Sequence, residues 1–530
     1  MAALTKVAQL SDVVKPTVLT ALGLVSLVSL IRHMRKRSQP GEDVPYASGW
    51  LPLVGHFWSL RGYWKDNQKL LLGRWGMDVY EKQKLDIFAG EAFGMTFMVV
   101  NDPDLAEEVC SGDPLRFTKD MRTMPSTELI DKLFGHGLFV VSTEDPRWQI
   151  AHNILKTPFS IRGMKVMMPL MCDQADALVE TLKREVGYGK ATYIDAWVTK
   201  MAFETIAVCG LGTSFGCFQD AEPHPYMVAF NEAVDFLHQP SLQFCPSYLR
   251  PLLFRGWPKF EAACDYMRST CIDIIRKRRE QGASSDQRRD LLDMMLHDKD
   301  PKTGQAMTEE MIVDNVLTFL FAGQDSTAAA MGSCLCFLSA SPRCKGKLLK
   351  EIDEVVGTGQ MRWEHLSQMP YLDWCIKETM RLVPPAVGFM RQARGDQVLG
   401  KKWRVPNGTP VIINAMGMHY SKALWGEDAF EFRPERWEHG APHRFAYIPF
   451  AVGPRACTGR EFTVVEQKVT MVKFFQHFDL RRPAHAVPEP GYITVKAAEA
   501  KFPPFIDMDV EFKVRSAFVG MSSSFELLPR

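Results

Sequence analysis

The stretch Phe450-Ala-Val-Gly453-Pro-Arg455-Ala-Cys457-Thr-Gly459 decides how this chain is read. One cysteine stands in a glycine-flanked loop, two residues after an arginine, and an amphipathic helical pattern follows. Phe462, Val465, Val469, Val472 and Phe475 are its apolar positions, with Glu461, Glu466, Gln467 and Lys468 between them. Gly453 and Gly459 permit a tight turn and a close approach to a flat ligand. A cysteine just ahead of a helix start faces the positive end of the helix dipole, which favours its thiolate. A thiolate in an apolar loop suits an axial ligand of haem iron. Taken as a lone cysteine, a buried structural thiol is the more ordinary reading.

Composition narrows the classes. Of the 530 residues, 46% are hydrophobic and 24% charged, a balance that can bury a large core. A formal net charge of +1 gives no electrostatic footprint for nucleic acid. The 12 cysteines contain no C-x-x-C pair, so their spacing supplies neither a zinc site nor a small disulfide framework. Reduced core cysteines in a cytosol-facing protein are the better reading.

Near the N-terminus, Val13 to Ile31 is almost wholly apolar, with Lys15 near its start, and it runs into Arg32, His33, Arg35, Lys36 and Arg37. A span wants about 20 apolar residues; here Lys15 would snorkel to the far interface. The basic cluster follows the apolar run, the order of an anchor with a cytosolic downstream domain and not of a cleavable signal. The expected organisation is an anchor with its basic stop over 1–37, a proline- and glycine-rich linker over 38–55, and one large domain over 56–530.

Within that domain, strand-like runs at Asp86 to Phe88 and Met95 to Val100 give way to mostly helical pattern up to residue 380. Gln281 to Arg289 reads as a solvated break. Asp145-Pro146 starts a helix, the aspartate as N-cap and the proline in the first turn. Trp148 and His152 are four apart and share its face; alone, such a pair is more often packing. Glu309 to Leu338 reads as one long apolar helix with Ala322-Gly323-Gln324-Asp325-Ser326-Thr327 at its middle. Gly323 costs that helix about 1 kcal/mol against alanine. Asp325 and Ser326 make an acid–alcohol pair able to relay protons, though packing is the default for such a run. Glu378 and Arg381, three apart on a further helix, can pair; on a surface such a pair is worth little.

Together these stretches resemble the cytochrome P-450 superfamily. The opening stretch carries every fixed position of its F-x-x-G-x-R-x-C-x-G signature, and the other motifs follow the family's order over about residues 45 to 510. The resemblance implies a mainly helical α+β fold, here with an N-terminal single-pass membrane helix, and heme b (iron protoporphyrin IX) as cofactor. It implies Cys457 as iron ligand, with Phe450 and Gly453 beside it. Trp148, His152, Arg391 and Arg455 would hold the propionates. Asp325 and Ser326 would deliver protons, with Thr327 as a reserve hydroxyl, and Ala322-Gly323 would open the central helix where oxygen must sit. Glu378, Arg381 and Arg436 would form a buried brace under the cysteine loop. Phe139, Ala322 and Val387 would line the substrate pocket. Two positions depart from the family's habit: Ser326 stands for a threonine, and Asn153 for an arginine after the histidine.

Four runs, Trp148 to Ser160, Pro223-His-Pro225, His297 to Gly304 and Phe432 to Trp437, are similar to fatty-acid hydroxylases fused to their reductase. In the same comparison, Phe134-Gly-His-Gly-Leu-Phe139 matches the loop whose phenylalanine roofs the haem. The positions that hold a fatty-acid carboxylate fall on Met95 and Val99, which cannot pair with one, and a buried unpaired carboxylate is costly. A neutral or differently anchored lipophile is therefore expected, such as a polyketide, terpenoid or esterified chain. Too little chain follows Cys457 to hold a flavin reductase. A separate NADPH-cytochrome P-450 reductase is expected, docked on a basic face that includes Arg444 and Arg460. The implied activity inserts one atom of O2 into a lipophilic small molecule, in secondary or lipid metabolism, with the catalytic domain on the cytosolic side of the endoplasmic reticulum membrane. A haem-thiolate isomerase, dehydratase or peroxide-using enzyme is the alternative, and a non-catalytic haem-binding protein the second.

Overall fold

A computed structural model of the chain describes residues 41–51, 55–56, 59–60, 71–92, 95–120, 127–186, 191–219, 222–237, 242, 245, 247–281, 290–481 and 524–529. The elements that build the site are, in chain order, strands β1 (Ile87–Ala92), β2 (Met95–Val100) and β3 (Phe117–Thr118); helices α1 (Thr127–Phe134), α2 (Pro146–Leu155), α3 (Ile161–Glu185), α4 (Ile194–Leu211), α5 (Pro225–Leu237), α6 (Trp257–Gln281), α7 (Glu309–Ala340) and α8 (Pro370–Leu382); strands β4 (Phe389–Ala393) and β5 (Pro410–Ile413); and helix α9 (Arg460–His477).

Local chemistry sets the helix starts. Asp145 accepts from the Arg147 amide at 2.9 Å, and Pro146 occupies the first turn of α2. Thr308 accepts from the Met311 amide at 3.3 Å, and Glu309 and Glu310 complement the dipole at the start of α7. α7 runs unbroken through the centre, buried along most of its length. α4 lies against it, α9 packs on α3, and α6 packs on α5, all joined in one large apolar core.

Two expectations change here. Gly323 does not open the helix for a ligand; a Cβ there would stand 2.7 Å from Ile206, so the missing side chain lets α7 lie close on α4. Nor does α9 keep a solvated face: Glu466 and Gln467 are fully enclosed, and Lys468 pairs with Asp373 at 2.9 Å. Flanked by α3, α7 and α8, the helix keeps only its first turn, Arg460 and Glu461, well exposed to water. Burial pushes the Glu466 carboxyl well above the ordinary range.

A five-stranded sheet stands beside the helices, in the order β1-β2-β5-β4-β3. β2 and β5 are parallel and the other neighbours antiparallel, with Arg391 opposite Val411 and Phe117 opposite Ala393. This register delivers Lys119, just past β3, and Phe389, on β4, to the same side of the molecule. The described part of the linker is not a free spacer: Glu42 and Asp43 pair in parallel with Trp403 and Arg404. Met95 is half-buried on β2, and Val99 is fully enclosed among Trp75, Phe88 and Phe97. No helix among the described residues is long and apolar enough to cross a membrane. The expected anchor, Val13 to Ile31, and the polar break at 282–289 lie outside the described residues.

Candidate active site

The cysteine loop closes on itself through two backbone bonds, from the Cys457 amide to the Phe450 carbonyl at 2.8 Å and from the Ala456 amide to the Gly453 carbonyl at 2.9 Å. Gly453 has φ +78°, and a Cβ there would lie 2.0 Å from the backbone oxygen of Cys110. It faces the helix Pro103–Ser111 and not the cavity, against the expectation that it borders the haem. Gly459 caps α9, which leaves Cys457 two residues ahead of the cap, in the field of the helix dipole. Among the cysteines, Cys457 alone lies on the cavity wall described next. Burial pushes the thiols of Cys264, Cys271 and Cys334 up to about 12, which suits inert packing.

A cavity lies between this loop, α7 and the sheet. Phe139, Ala322, Phe319, Phe389, Phe450 and Cys457 are on its wall. Trp148 and His152 stack at 4.9 Å, and the Arg455 guanidinium lies 4.8 Å from the centre of the Trp148 ring. Burial, then the nearby charges of Lys156 and Arg455, hold the His152 imidazole below its ordinary pKa. In that neutral form it can still donate one N–H. Arg455 donates to the carbonyls of Val141 at 2.9 Å and Leu138 at 3.2 Å. Asn153 donates to Asp300 at 3.0 Å, pinning the turn before α7, and takes no part in the cavity.

Sequence reasoning missed Lys119. It lines the cavity, with Nζ 4.2 Å from the centre of the Phe139 ring. Arg391 lies on the same face of β4 as Phe389, with its guanidinium 5.1 Å from that ring; Phe389 is on the wall and Arg391 is not. Val387 is not on the wall either; the irregular chain before β4 turns Ala386 and Gly388 to the cavity, while the Val387 carbonyl receives the Met416 amide.

On α7, Ser326 stands one turn beyond Ala322 on the same face and donates to its carbonyl at 2.9 Å. Asp325 is buried next to it. Thr327 is not in reserve: its hydroxyl is 2.6 Å from that of Thr463 on α9, a helix-to-helix bond away from the cavity wall.

The acidic and basic residues of α8 do come together with the later arginine. Arg381 and Glu378 are fully enclosed and doubly bonded, each contact at 2.9 Å, and Arg436 Nε reaches Glu378 at 2.7 Å. Trp437 and the Arg433 amide add donors to the same carboxylate at 2.9 and 3.1 Å. The link onward is His419, also missed. Arg381 Nη1 donates to its carbonyl at 2.7 Å, His419 Nδ1 bonds the Arg381 carbonyl at 3.1 Å, and Nε2 accepts from the Ile448 amide at 3.0 Å. Burial, then the Arg381 charge, push this imidazole down to about 3, so it stays neutral. Ile448 is on the cavity wall, two residues before Phe450.

The donor set fits an iron porphyrin. A thiol is available to the metal, apolar side chains to the faces of the ring, and Lys119, Arg455, Trp148 and His152 to its carboxylates. At the expected docking face, Arg444 is paired with Glu107, and Arg460 lies 3.8 Å from Glu461, so part of the positive charge is already met.

The family model for cytochrome P450 matches residues 46–498. A bifunctional cytochrome P450/NADPH–P450 reductase of Alternaria alternata is 32% identical over 417 residues, 76% of this chain and 36% of that protein. A self-sufficient cytochrome P450 monooxygenase of Phanerodontia chrysosporium is 32% identical over 460 residues, 84% of this chain and 41% of that one. The chain thus spans well under half the length of these curated relatives. The haem domain of cytochrome P450DA has the same fold, with a TM-score of 0.76 at 24% identity, over 93% of this chain and 99% of that one.

Proposed function

The chain belongs to the cytochrome P450 family, and on that premise we propose that it is a haem-thiolate monooxygenase acting on a lipophilic small molecule. The observation that carries this reading is the meeting of Cys457, Phe139, Ala322 and the Lys119–Arg455–His152 group on one cavity wall. Heme b, when bound, supplies reductive activation of dioxygen, which leaves one oxygen atom in a C–H or C=C bond of the substrate and the other in water. Cys457 provides the thiolate ligand, and Phe450 restricts water around it. Lys119, Arg455 and His152 hold the carboxylates and so orient the ring. Ser326 Oγ, held beside the wall by its bond to the Ala322 carbonyl, would release its proton toward the cavity as it takes one from the Asp325 carboxyl. Phe139, Phe319 and Ala322 shape the space left for substrate. Met95 and Val99 offer no partner to a carboxylate, so we favour a neutral lipophile.

Electrons come from an NADPH-dependent flavoprotein reductase; the Alternaria alternata relative carries an NADPH–P450 reductase in the same chain. Reconstitution of the full chain with such a reductase, NADPH and a panel of neutral terpenoids, polyketides and fatty esters is expected to give products heavier by one oxygen atom. Products of unchanged composition, or turnover only with peroxide, would move the chain to the isomerase or peroxide-using classes.

The apolar run at Val13 to Ile31, followed by basic residues, supports a single-pass anchor in the endoplasmic reticulum membrane with the catalytic domain in the cytosol. Microsomes washed with carbonate are expected to retain the protein, and protease added without detergent to digest the domain. Release by the carbonate wash would remove the anchor.

A further inference from the structure

Between α1 and α2 the chain crosses residues 135–145 without regular structure, yet its path is tightly held. On α7, Asp314 is fully enclosed, about two helical turns before Ala322. Its Oδ2 accepts from the His136 amide at 2.7 Å and its Oδ1 from Arg268 Nη2, on α6, at 2.7 Å. The next residue, Asn315, accepts from the Leu138 amide at 2.9 Å while its own amide donates to the Met311 carbonyl at 2.7 Å. Gly135 has φ +59°, and a Cβ there would stand 2.1 Å from Asp314 Oδ1; at Gly137 it would stand 2.1 Å from Thr318 Oγ1. The loop backbone therefore lies directly on α7. Arg455 holds the other flank through the Leu138 and Val141 carbonyls. Phe139 sits between these two grips, its ring 5.7 Å from that of Phe321 and 6.2 Å from that of Phe134.

We propose that Asp314, paired with Arg268 and aided by Asn315, is the positioning residue for Phe139, and so sets which ligands reach the iron side of the cavity. The inference rests on the reading of Phe139 as a wall of the substrate space. His136, Glu310 and Asp314 bring ligand-type atoms within 4.8 Å of one another, but Arg268 already meets the Asp314 charge, so the cluster is an ion pair and not a metal site. A buried carboxylate without a countercharge is costly; Arg268 is what allows an acid, with two strong acceptor oxygens, to replace a weaker neutral acceptor at this point. The arrangement couples two helices to one loop: a shift of α6 against α7 moves the acceptor of the His136 amide, and with it the ring three residues later.

The test uses the full-length, haem-loaded protein and four variants, Asp314→Asn, Arg268→Gln, Asn315→Ser and Phe139→Ala. Two measurements are made: hydrogen exchange of peptides covering 134–141, and spectral titration with imidazole and with 4-phenylimidazole. Asp314→Asn is expected to speed exchange of these amides by about tenfold. It is also expected to change the ratio of the two dissociation constants by about three- to tenfold, in common with Phe139→Ala, while imidazole alone binds nearly as before. If Phe139→Ala moves the ratio and folded Asp314→Asn moves neither the ratio nor the exchange, the inference is overturned and the proposed function stands. If Phe139→Ala leaves the ratio unchanged, the reading of Phe139 fails and takes the inference with it. Should Asp314→Asn not fold, Arg268→Gln and Asn315→Ser, each leaving part of the grip intact, decide the matter on the same two readouts.

Discussion

Cys457→Ala is expected to abolish the absorption band that marks thiolate ligation in the ferrous carbon-monoxide adduct, and with it all reductase-driven turnover. The argument is one of exclusion as well as position. Cys457 is the cysteine on the cavity wall, at the dipole end of α9. The remaining thiols are packing groups: burial holds Cys264, Cys271 and Cys334 up at about 12 and Cys375 well above the ordinary range. None of these is placed to substitute. Cys264→Ala is the matched control and should leave the band intact. A thiolate-type band surviving in Cys457→Ala would overturn the ligand assignment.

Glu378→Gln is expected to be among the most destabilising single substitutions available in the chain. The carboxylate compensates two guanidinium groups, Arg381 and Arg436, whose side chains are 0% and 4% exposed. Neutralising it strips enclosed Arg381 of its paired carboxylate and leaves Arg436 with Asp428, 3.4 Å away, an effect of about 3–5 kcal/mol. Against a typical stability of about 5–15 kcal/mol this is a large fraction. The damage should also reach the cofactor, because Arg381 holds His419 and His419 holds Ile448 at the cavity wall. Haem content per chain and the urea midpoint are the measurements. Glu435→Gln is the contrast. Its carboxylate, a quarter exposed, meets Arg343 and Lys347 at the surface, where such pairs are worth about 0–1 kcal/mol. Equal losses in the two variants would show that the enclosed cluster is no brace.

The parts of the site legible in the sequence are those whose chemistry is local. The cysteine loop is one run of ten residues, and Trp148 with His152, or Glu378 with Arg381, are fixed by helical spacing. The unbroken α7 was legible from its length and its apolar character. What escaped depends on which element lies against which. Gly323 read as a gap for a ligand because its neighbour Ile206 is more than a hundred residues away on α4. Thr327 looked available until Thr463 met it from α9. Val387 rested on the resemblance alone, and it falls in an irregular segment where no period fixes which side chain faces the cavity. Lys119 belongs to no motif; the register of β3 against β4 carries it in. His419 had one weak signal, its position inside the apolar run Ala415-Met-Gly-Met-His419, where an imidazole must find partners. α9 misled because polar residues at regular spacing resemble a wet face, although here neighbouring helices close over Glu466, Gln467 and Lys468 and leave only Glu461 in water.

Gly453 and Cys457, four residues apart, answer to different pressures. The glycine is held by a backbone contact with Cys110 that exists whether or not any cofactor is bound. Any side chain at 453 presses on a carbonyl that cannot move aside without displacing its helix. The cysteine makes no comparable demand on packing. Selection for soluble expression alone would therefore keep the glycine and let the cysteine drift, and selection for redox chemistry would keep both. Invariance at neighbouring positions of one loop can thus record two unrelated histories, one of shape and one of catalysis.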